Sequence, residues 1–273
     1  MSKLKWDETG YHFYETGVKK GVLYPQVEGE YPLGVNWDGL TGVTESPSGA
    51  ESSPQYADNI KYLNLRSAEE YGGTIEAFQS PEEFDYCDGT ASPTTGVKFG
   101  QQSRQAFGFS WVTQIGNDTD GDDHGYKIHL VWGATAAPSE RSYTTINDSP
   151  EAMTLSWTFD TVPVNVSTTG FKPTASATII STDLTSAQLK AVKNALYGTE
   201  STDPYLPLPD ELIALLNESA PTYTYTAVTP TGTENPSTEG WYERSGSAGS
   251  YVYALTTDTT VDNTKTYYSR STS

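Results

Sequence analysis

The chain has 273 residues and a mass of 29.7 kDa, room for one large domain or one with a small companion, and enough to bury a core without cross-links. Its 16 Lys+Arg against 35 Asp+Glu give a formal charge of −19, which excludes a basic face for gripping nucleic acid and disfavours docking on an anionic membrane. A single cysteine, Cys87, excludes an internal disulfide and a Cys–His zinc cluster, and the absence of an apolar leader or an 18-residue apolar run leads us to expect a soluble protein made in a reducing cytoplasm.

Six Trp, 19 Tyr, 24 Gly and abundant Thr favour strands and turns over helices. In chain order, Asn59–Arg66 and Thr74–Phe78 read as a strand pair. Ser67-Ala68-Glu69-Glu70 between them is alternatively the capping box of a helix that Gly72-Gly73 keeps short. Phe107, Phe109, Trp111 and Thr113 alternate with polar positions, as do Tyr126, Ile128, Leu130 and Trp132. These predict a hairpin over Phe107–Gly133 with a polar turn at Asn117–Gly125. Met153, Leu155, Trp157 and Phe159 predict another half-buried strand, and Thr174–Ile180 a further one. One helix is strongly signalled: Thr185 as cap with Gln188 reaching back, Leu184 as a staple on Leu189, Leu189, Val192 and Leu196 on one face, and Gly198 as the stop. A short second helix is expected from Pro209 or Asp210 to Leu216. The main body therefore reads as mainly β within an α+β class.

Composition shifts near Asn217. Residues 1–220 carry 13 Lys+Arg against 30 Asp+Glu, whereas residues 221–273 carry 3 against 5, with 21 Ser/Thr and 7 Tyr. Thr222–Val228, Trp241–Arg244, Tyr251–Leu255 and Lys265–Arg270 predict a small all-β appendage, with Thr229–Glu239 as a linker or long turn. A partly disordered tail is the alternative. The expected division is 1–216 and 217–273.

The acidic run Asp118-Thr119-Asp120-Gly121-Asp122-Asp123-His124 resembles a calcium loop but has Asp123 and His129 where the EF-hand needs Gly and Glu. It reads instead as a solvated hairpin tip held open by repulsion, with a weak cation site as the alternative. Glu82-Glu83-Phe84-Asp85-Tyr86-Cys87-Asp88 reads as a solvated face, Cys87 as a packed or half-exposed thiol, and His129 as a surface or interface residue. Gly246-Ser247-Ala248-Gly249 lacks the spacing of a nucleophile elbow. No catalytic residue, metal ligand or cofactor is expected.

Several motifs occur in a specific order: Gly34–Thr41, Thr44-Glu45-Ser46-Pro47-Ser48-Gly49-Ala50-Glu51, Tyr56–Tyr62, Gly73–Phe78, Gly100-Gln101-Gln102, Ile115–Asp118, Gly125–Val131, Asn147–Ala152 and Leu206–Glu211. Over roughly residues 5–216 this set resembles the major tail proteins of long-tailed bacteriophages that infect Gram-positive bacteria. The resemblance implies a tail-tube β-sandwich or half-barrel with one flanking helix. It also implies six-membered rings joined edge to edge and stacked into a hollow tube in the virion tail. The implied partners are further copies of the chain, a tape-measure protein, and tail terminator and distal tail proteins, with genomic DNA passing through unbound. Thr41–Tyr56 is then expected to be a long loop that orders on assembly, with Thr44, Glu45, Ser46, Pro47, Glu51 and Tyr56 as inter-subunit or inter-ring positions. Asp118, Asp120, Asp122 and Asp123 are expected on a ring face or lining the bore, where carboxylates would repel phosphates. Two other readings stay open: another virion structural protein, such as a capsid decoration or baseplate protein, and a carbohydrate-binding or adhesive β-module using Trp241, Tyr242, Tyr251 and Tyr253.

Overall fold

The computed structural model describes residues 4–146, 148–149, 151–218, 223–247 and 251–272. Asn147 and Pro150 of one quoted motif, Thr222 of an expected strand, and Ala248-Gly249 lie outside the described residues. The chain divides into two compact units, Met1–Glu218 and Ser219–Ser273. Each is mainly β.

The first unit contains strands β1 (Tyr14–Pro25), β2 (Val35–Trp37), β3 (Leu40–Glu45), β4 (Ser48–Gly49), β5 (Ser52–Ala57), β6 (Ile60–Arg66), β7 (Glu69–Glu70), β8 (Gly72–Ala77), β9 (Ala91–Thr94), β10 (Val97–Phe99), β11 (Phe107–Asn117), β12 (Gly121–Ala136), β13 (Leu155–Thr161) and β14 (Ser176–Ile180). Helices α1 (Ser186–Tyr197) and α2 (Pro209–Glu218) follow, two where the resemblance implied one. The main antiparallel sheet runs β2-β1-β11-β12-β13-β8-β3, with β14 also on β12. Its two end strands, β2 and β3, are consecutive in the chain and separated only by Asp38-Gly39. The chain thus steps from one end of the sheet order to the other, and Leu40 of β3 closes against Gly21 of β1. The sheet curls on itself.

Curling gives the sheet an inner and an outer face, and alternation fills both. Inside lie Trp37, Phe84, Phe107, Phe109, Trp157 and Phe159, all within 2% of complete burial. Their rings pack mostly edge to face, the arrangement the ring quadrupole favours. Outside, Ile128, Leu130 and Trp132 of β12 pack with Val192 and Leu196 of α1 and Leu212 of α2. Two polar links fix the helical layer: the Tyr24 hydroxyl donates to Leu196 O (2.8 Å) and Trp132 Nε1 to Pro207 O (3.0 Å). The capping box of α1 is complete. Thr185 Oγ1 accepts from the Gln188 amide while Gln188 Oε1 accepts from the Thr185 amide, and Gly198 at φ +73° ends the helix.

Strand β12 changes partner midway, pairing with β14 through Val131 and with β13 from Ala134. Gly133, at φ +62°, makes that bend, and a Cβ there would fall 2.2 Å from Val162 O. Gly133→Ala combines left-handed strain with a backbone clash and should cost about 2–5 kcal/mol. Urea unfolding checks this against Gly170→Ala, where φ is also positive (+95°) but nothing lies within 4 Å, so the steric part is isolated.

Several expectations are corrected. The segment 41–56 is not a loop. It is strand β3 followed by the ascending limb of a hairpin. Asn59–Arg66 does not pair with Thr74–Phe78: β6 pairs with β5, and β8 lies between β13 and β3. Residues 67–70 hold the short strand β7, not a helix. The β11–β12 turn is tighter than expected, since Asn117 already pairs with Gly121. The acidic run 82–88 is a solvated face only in part: Glu82, Glu83 and Tyr86 are exposed, but the rest is not. Glu82–Tyr86 form a 3-10 turn that buries Phe84; Asp85 pairs with Lys98, and Asp88 with Arg104 and Arg141. Cys87 is fully packed, and burial pushes its thiol up to about 12. His129, expected at a surface or interface, is half-buried. Its ring stacks on Trp111 (4.8 Å between centres, 9° between planes), its Nε2 lies 2.8 Å from the Thr113 hydroxyl, and burial holds its pKa below the usual value.

The second unit is a four-stranded antiparallel sheet of order β15-β18-β16-β17, where β15 is Tyr223–Val228, β16 Tyr242–Ser245, β17 Val252–Leu255 and β18 Tyr267–Thr272. One side is anchored by Trp241 against Tyr267. There Asp258 accepts from the Tyr267 hydroxyl (2.7 Å) and from Lys265 (2.9 Å), which also reaches Glu243 (3.2 Å). This side-chain network supplies part of the order that so few aliphatic residues would not.

Candidate assembly surfaces

Between β3 and β8 the chain leaves the curled sheet and returns as a long two-stranded arm. Backbone bonds carry the β3–β8 ladder outward, from Ser46 N to Gly72 O (2.8 Å), from Ala50 N to Ala68 O (3.1 Å) and from Ser67 N to Glu51 O (3.2 Å). The turn is Asp58-Asn59, both left-handed (φ +50° and +64°), the two-residue geometry that matches strand twist. The twelve residues from Ser46 to Ala57 could span at most about 40 Å if fully extended, and left-handed Gly49 and Ala50 shorten that reach.

Every residue of β5 and β6 is exposed. These include Tyr56, Ile60, Tyr62 and Leu65, each more than half exposed, and Leu63. A two-stranded ribbon with neither face covered is marginal in water, and an exposed apolar patch of this kind marks a candidate contact surface. Of the six sequence-predicted assembly positions, two lie at the end of β3 and four on the arm. Thr44 pairs with Thr74 at the end of β3, and Glu45 accepts from the Tyr71 hydroxyl (2.8 Å). Ser46 and Pro47 form the root of the arm, Glu51 lies partway out, and Tyr56 sits near the tip. The return-strand residues Ile60, Tyr62, Leu63 and Leu65 were not among them. Their signal was present: a strand with apolar side chains on both alternation phases has no dry face of its own to choose.

The acidic tip between β11 and β12 is a second surface. Asp118 accepts from the Gly10 amide (2.9 Å) and lies 3.0 Å from His12 Nδ1; Asp120 lies 3.0 Å from His124 Nδ1; Asp122 accepts from the Tyr14 hydroxyl (2.9 Å). Asn117 links the group, its Oδ1 accepting from the Asp120 amide (2.6 Å). Repulsion does not hold this turn open: three of the four aspartates are tied down by donors of the same chain, while Asp123 is exposed. Among the described residues no group of three His, Cys, Asp or Glu is placed to hold a metal ion. The tip thereby fastens the N-terminal segment, whose Leu4, Trp6, Tyr11 and Phe13 are exposed.

The His12 imidazole, and next the Gly10 amide, hold the Asp118 carboxyl below its ordinary 3.8. A depressed carboxylate contributes fully above the ordinary value and loses its contribution as pH falls through the folded one. The N-terminal segment should therefore stay fastened down to about pH 4 and release below pH 3.8. Hydrogen exchange at the Gly10 and His12 amides, corrected for intrinsic rates, tests this. Asp118→Ala should raise exchange there about tenfold at neutral pH and abolish the acid step.

A third surface is β14, which among the described residues pairs with β12 and with no strand on its other edge. No helix among the described residues is long and apolar enough to cross a membrane. No family model matches the chain, and no curated protein matches it as a relative.

Proposed function

We propose that the chain is a self-assembling structural subunit of a bacteriophage tail, whose copies join into rings and stack as a hollow tube for genome passage. The exposed arm carries this reading: a two-stranded ribbon with apolar side chains on both faces makes sense only against another molecule. A neighbouring copy supplies both what the arm needs to bury and what the open edge of β14 needs to pair. The ordered motifs of the 5–216 region, the mainly-β curled sheet and the charge of −19 support the same reading. An acidic conduit lets a polyanion slide without sticking. Tape-measure, terminator and distal tail proteins are the partners such a tube would meet.

Electron microscopy of the purified full-length protein at high concentration tests this. Hollow rings or tubes are expected; a population of monomers or trimers alone would instead favour a capsid decoration or baseplate role. For the bore, Asp123→Asn is the clean substitution, because changing Asp118, Asp120 or Asp122 also releases contacts within the chain.

A further inference from the structure

On the outer face of the curled sheet three lysines come together, in a chain with only 16 basic residues against 35 acidic ones. Lys19 and Lys20 of β1 and Lys193 of α1 line one cavity of about 70 Å³, whose other walls are Val112, Tyr126 and Tyr197. None of these residues is acidic. Lys98, Lys127 and Lys265 each meet a carboxylate, whereas among the described residues Lys19, Lys20 and Lys193 meet none.

Backbone distortion is what brings the two adjacent lysines to one cavity. Consecutive residues of a regular strand point to opposite faces. Strand β1 slips register between Thr16 and Lys19 and again between Lys19 and Val22, and Lys20 sits in the left-handed region at φ +53°. Bulges of this kind re-aim side chains, and strained non-glycine backbone concentrates at binding sites.

The cavity also holds polar groups that lack a partner. The Tyr126 and Tyr197 hydroxyls are buried and, among the described residues, have no hydrogen-bond partner. Burial, with Tyr126 close by, pushes the Tyr197 hydroxyl up to about 12, so it remains a protonated donor at neutral pH. Lys193 Nζ lies 4.9 Å from the Tyr126 ring centre and Lys20 Nζ 5.7 Å from that of Tyr197, while Lys19 Nζ donates to Gln114 Oε1. Cation–π contact accounts for one lysine at each ring. It leaves the clustered charge uncompensated and both hydroxyls without an acceptor.

We infer that this cavity binds a single small tetrahedral oxyanion, phosphate or sulfate, through the ammonium groups of Lys19, Lys20 and Lys193. On binding, the flexible lysine chains turn from the rings to the anion, and the two phenols gain the acceptor they lack. Five donors from β1, β12 and α1 suit an anion with several oxygens better than a carboxylate with two. A volume of about 70 Å³, roughly that of two waters, admits one such group and excludes a sugar or a base. The bound anion would tie β1 to α1. The site makes no use of the arm and does not depend on assembly.

The test is calorimetric titration of the full-length protein with inorganic phosphate and with sulfate, beside acetate and oligothymidylate, all at one ionic strength in chloride. At least one tetrahedral anion should bind saturably, about tenfold tighter than acetate. Lys193→Gln and the double variant Lys19→Gln/Lys20→Gln should each weaken that binding about tenfold. Lys172→Gln, the same charge change at an exposed position outside the cavity, should leave it intact. Tyr197→Phe separates binding from structure. It should not lower stability without the anion, because the hydroxyl has no partner to lose, yet it should lower affinity for the anion. No saturable binding of phosphate or sulfate up to about 10 mM would overturn the proposal. So would affinity indifferent to the three lysines or to the Tyr197 hydroxyl, or tighter binding of acetate or oligothymidylate than of both tetrahedral anions.

Discussion

Removing residues 47–70 and joining Ser46 to Tyr71 through Asn-Gly should abolish assembly and leave the first unit folded. The ribbon buries nothing in the single chain, so its loss should change unfolding free energy by no more than about 0.5 kcal/mol. Tyr71, which packs on the inner core and bonds Glu45, is kept. The effect on association is large. If Tyr56, Ile60, Tyr62, Leu63 and Leu65 each contribute about 1 kcal/mol on burial against a neighbour, well under full transfer, the arm is worth about 5 kcal/mol per contact. That raises the concentration needed for assembly more than about a thousandfold. Light scattering and negative-stain imaging report it, and long tubes from the shortened chain would refute the role given to the arm. Tyr62→Ser and Leu65→Ser should fall between.

Trp37→Ala should be the most damaging single change in the inner core. Its indole touches Phe84, Phe109 and Trp157 with ring centres 4.6, 5.5 and 5.4 Å away, and its Nε1 donates to Gln79 O at 2.7 Å. Truncation leaves a large cavity and an unfilled acceptor, a loss of about 3–5 kcal/mol from a total that is ordinarily 5–15. Trp157→Phe makes the contrast. Trp157 Nε1 is buried with no acceptor among the described residues, so phenylalanine gives up volume but removes an unsatisfied donor. Its cost should stay near 1 kcal/mol. Denaturant titration of the two variants side by side decides, and equal losses would contradict this account of the core.

What the sequence revealed follows from where each element draws its stability. Helix α1 was legible to the residue because a capping box and a glycine stop are local signals. The strands of the second unit were located within two residues at each end, because tyrosines and turn residues mark them clearly. Strand β1 was invisible. Two irregularities, between Thr16 and Lys19 and between Lys19 and Val22, each shift the alternation, so no period of two survives along it. The arm was half legible: Ile60–Arg66 read as a strand, but Asp58-Asn59 gave no strong turn signal and β5 has no buried face to pattern it. Pairings were beyond reach. Nothing in Thr74–Phe78 says that its neighbours are β13 and β3 and not the nearer strand. The aspartate tip was misread because its donors, Gly10, His12 and Tyr14, lie more than 100 residues away.

The step from β2 to β3 across Asp38-Gly39 has a kinetic consequence. Closing the curled sheet requires β1 to find β11 across some 90 intervening residues before the inner aromatics can pack, a topology that belongs with slow, millisecond-to-second folding. The arm is a local hairpin on a two-residue turn and forms in microseconds. In a newly made chain the local pairing of the ribbon thus precedes the long-range closure of the body, and uncovered it stays only marginally stable. If copies join through this ribbon as proposed, premature association of half-built chains is the hazard this order of events creates.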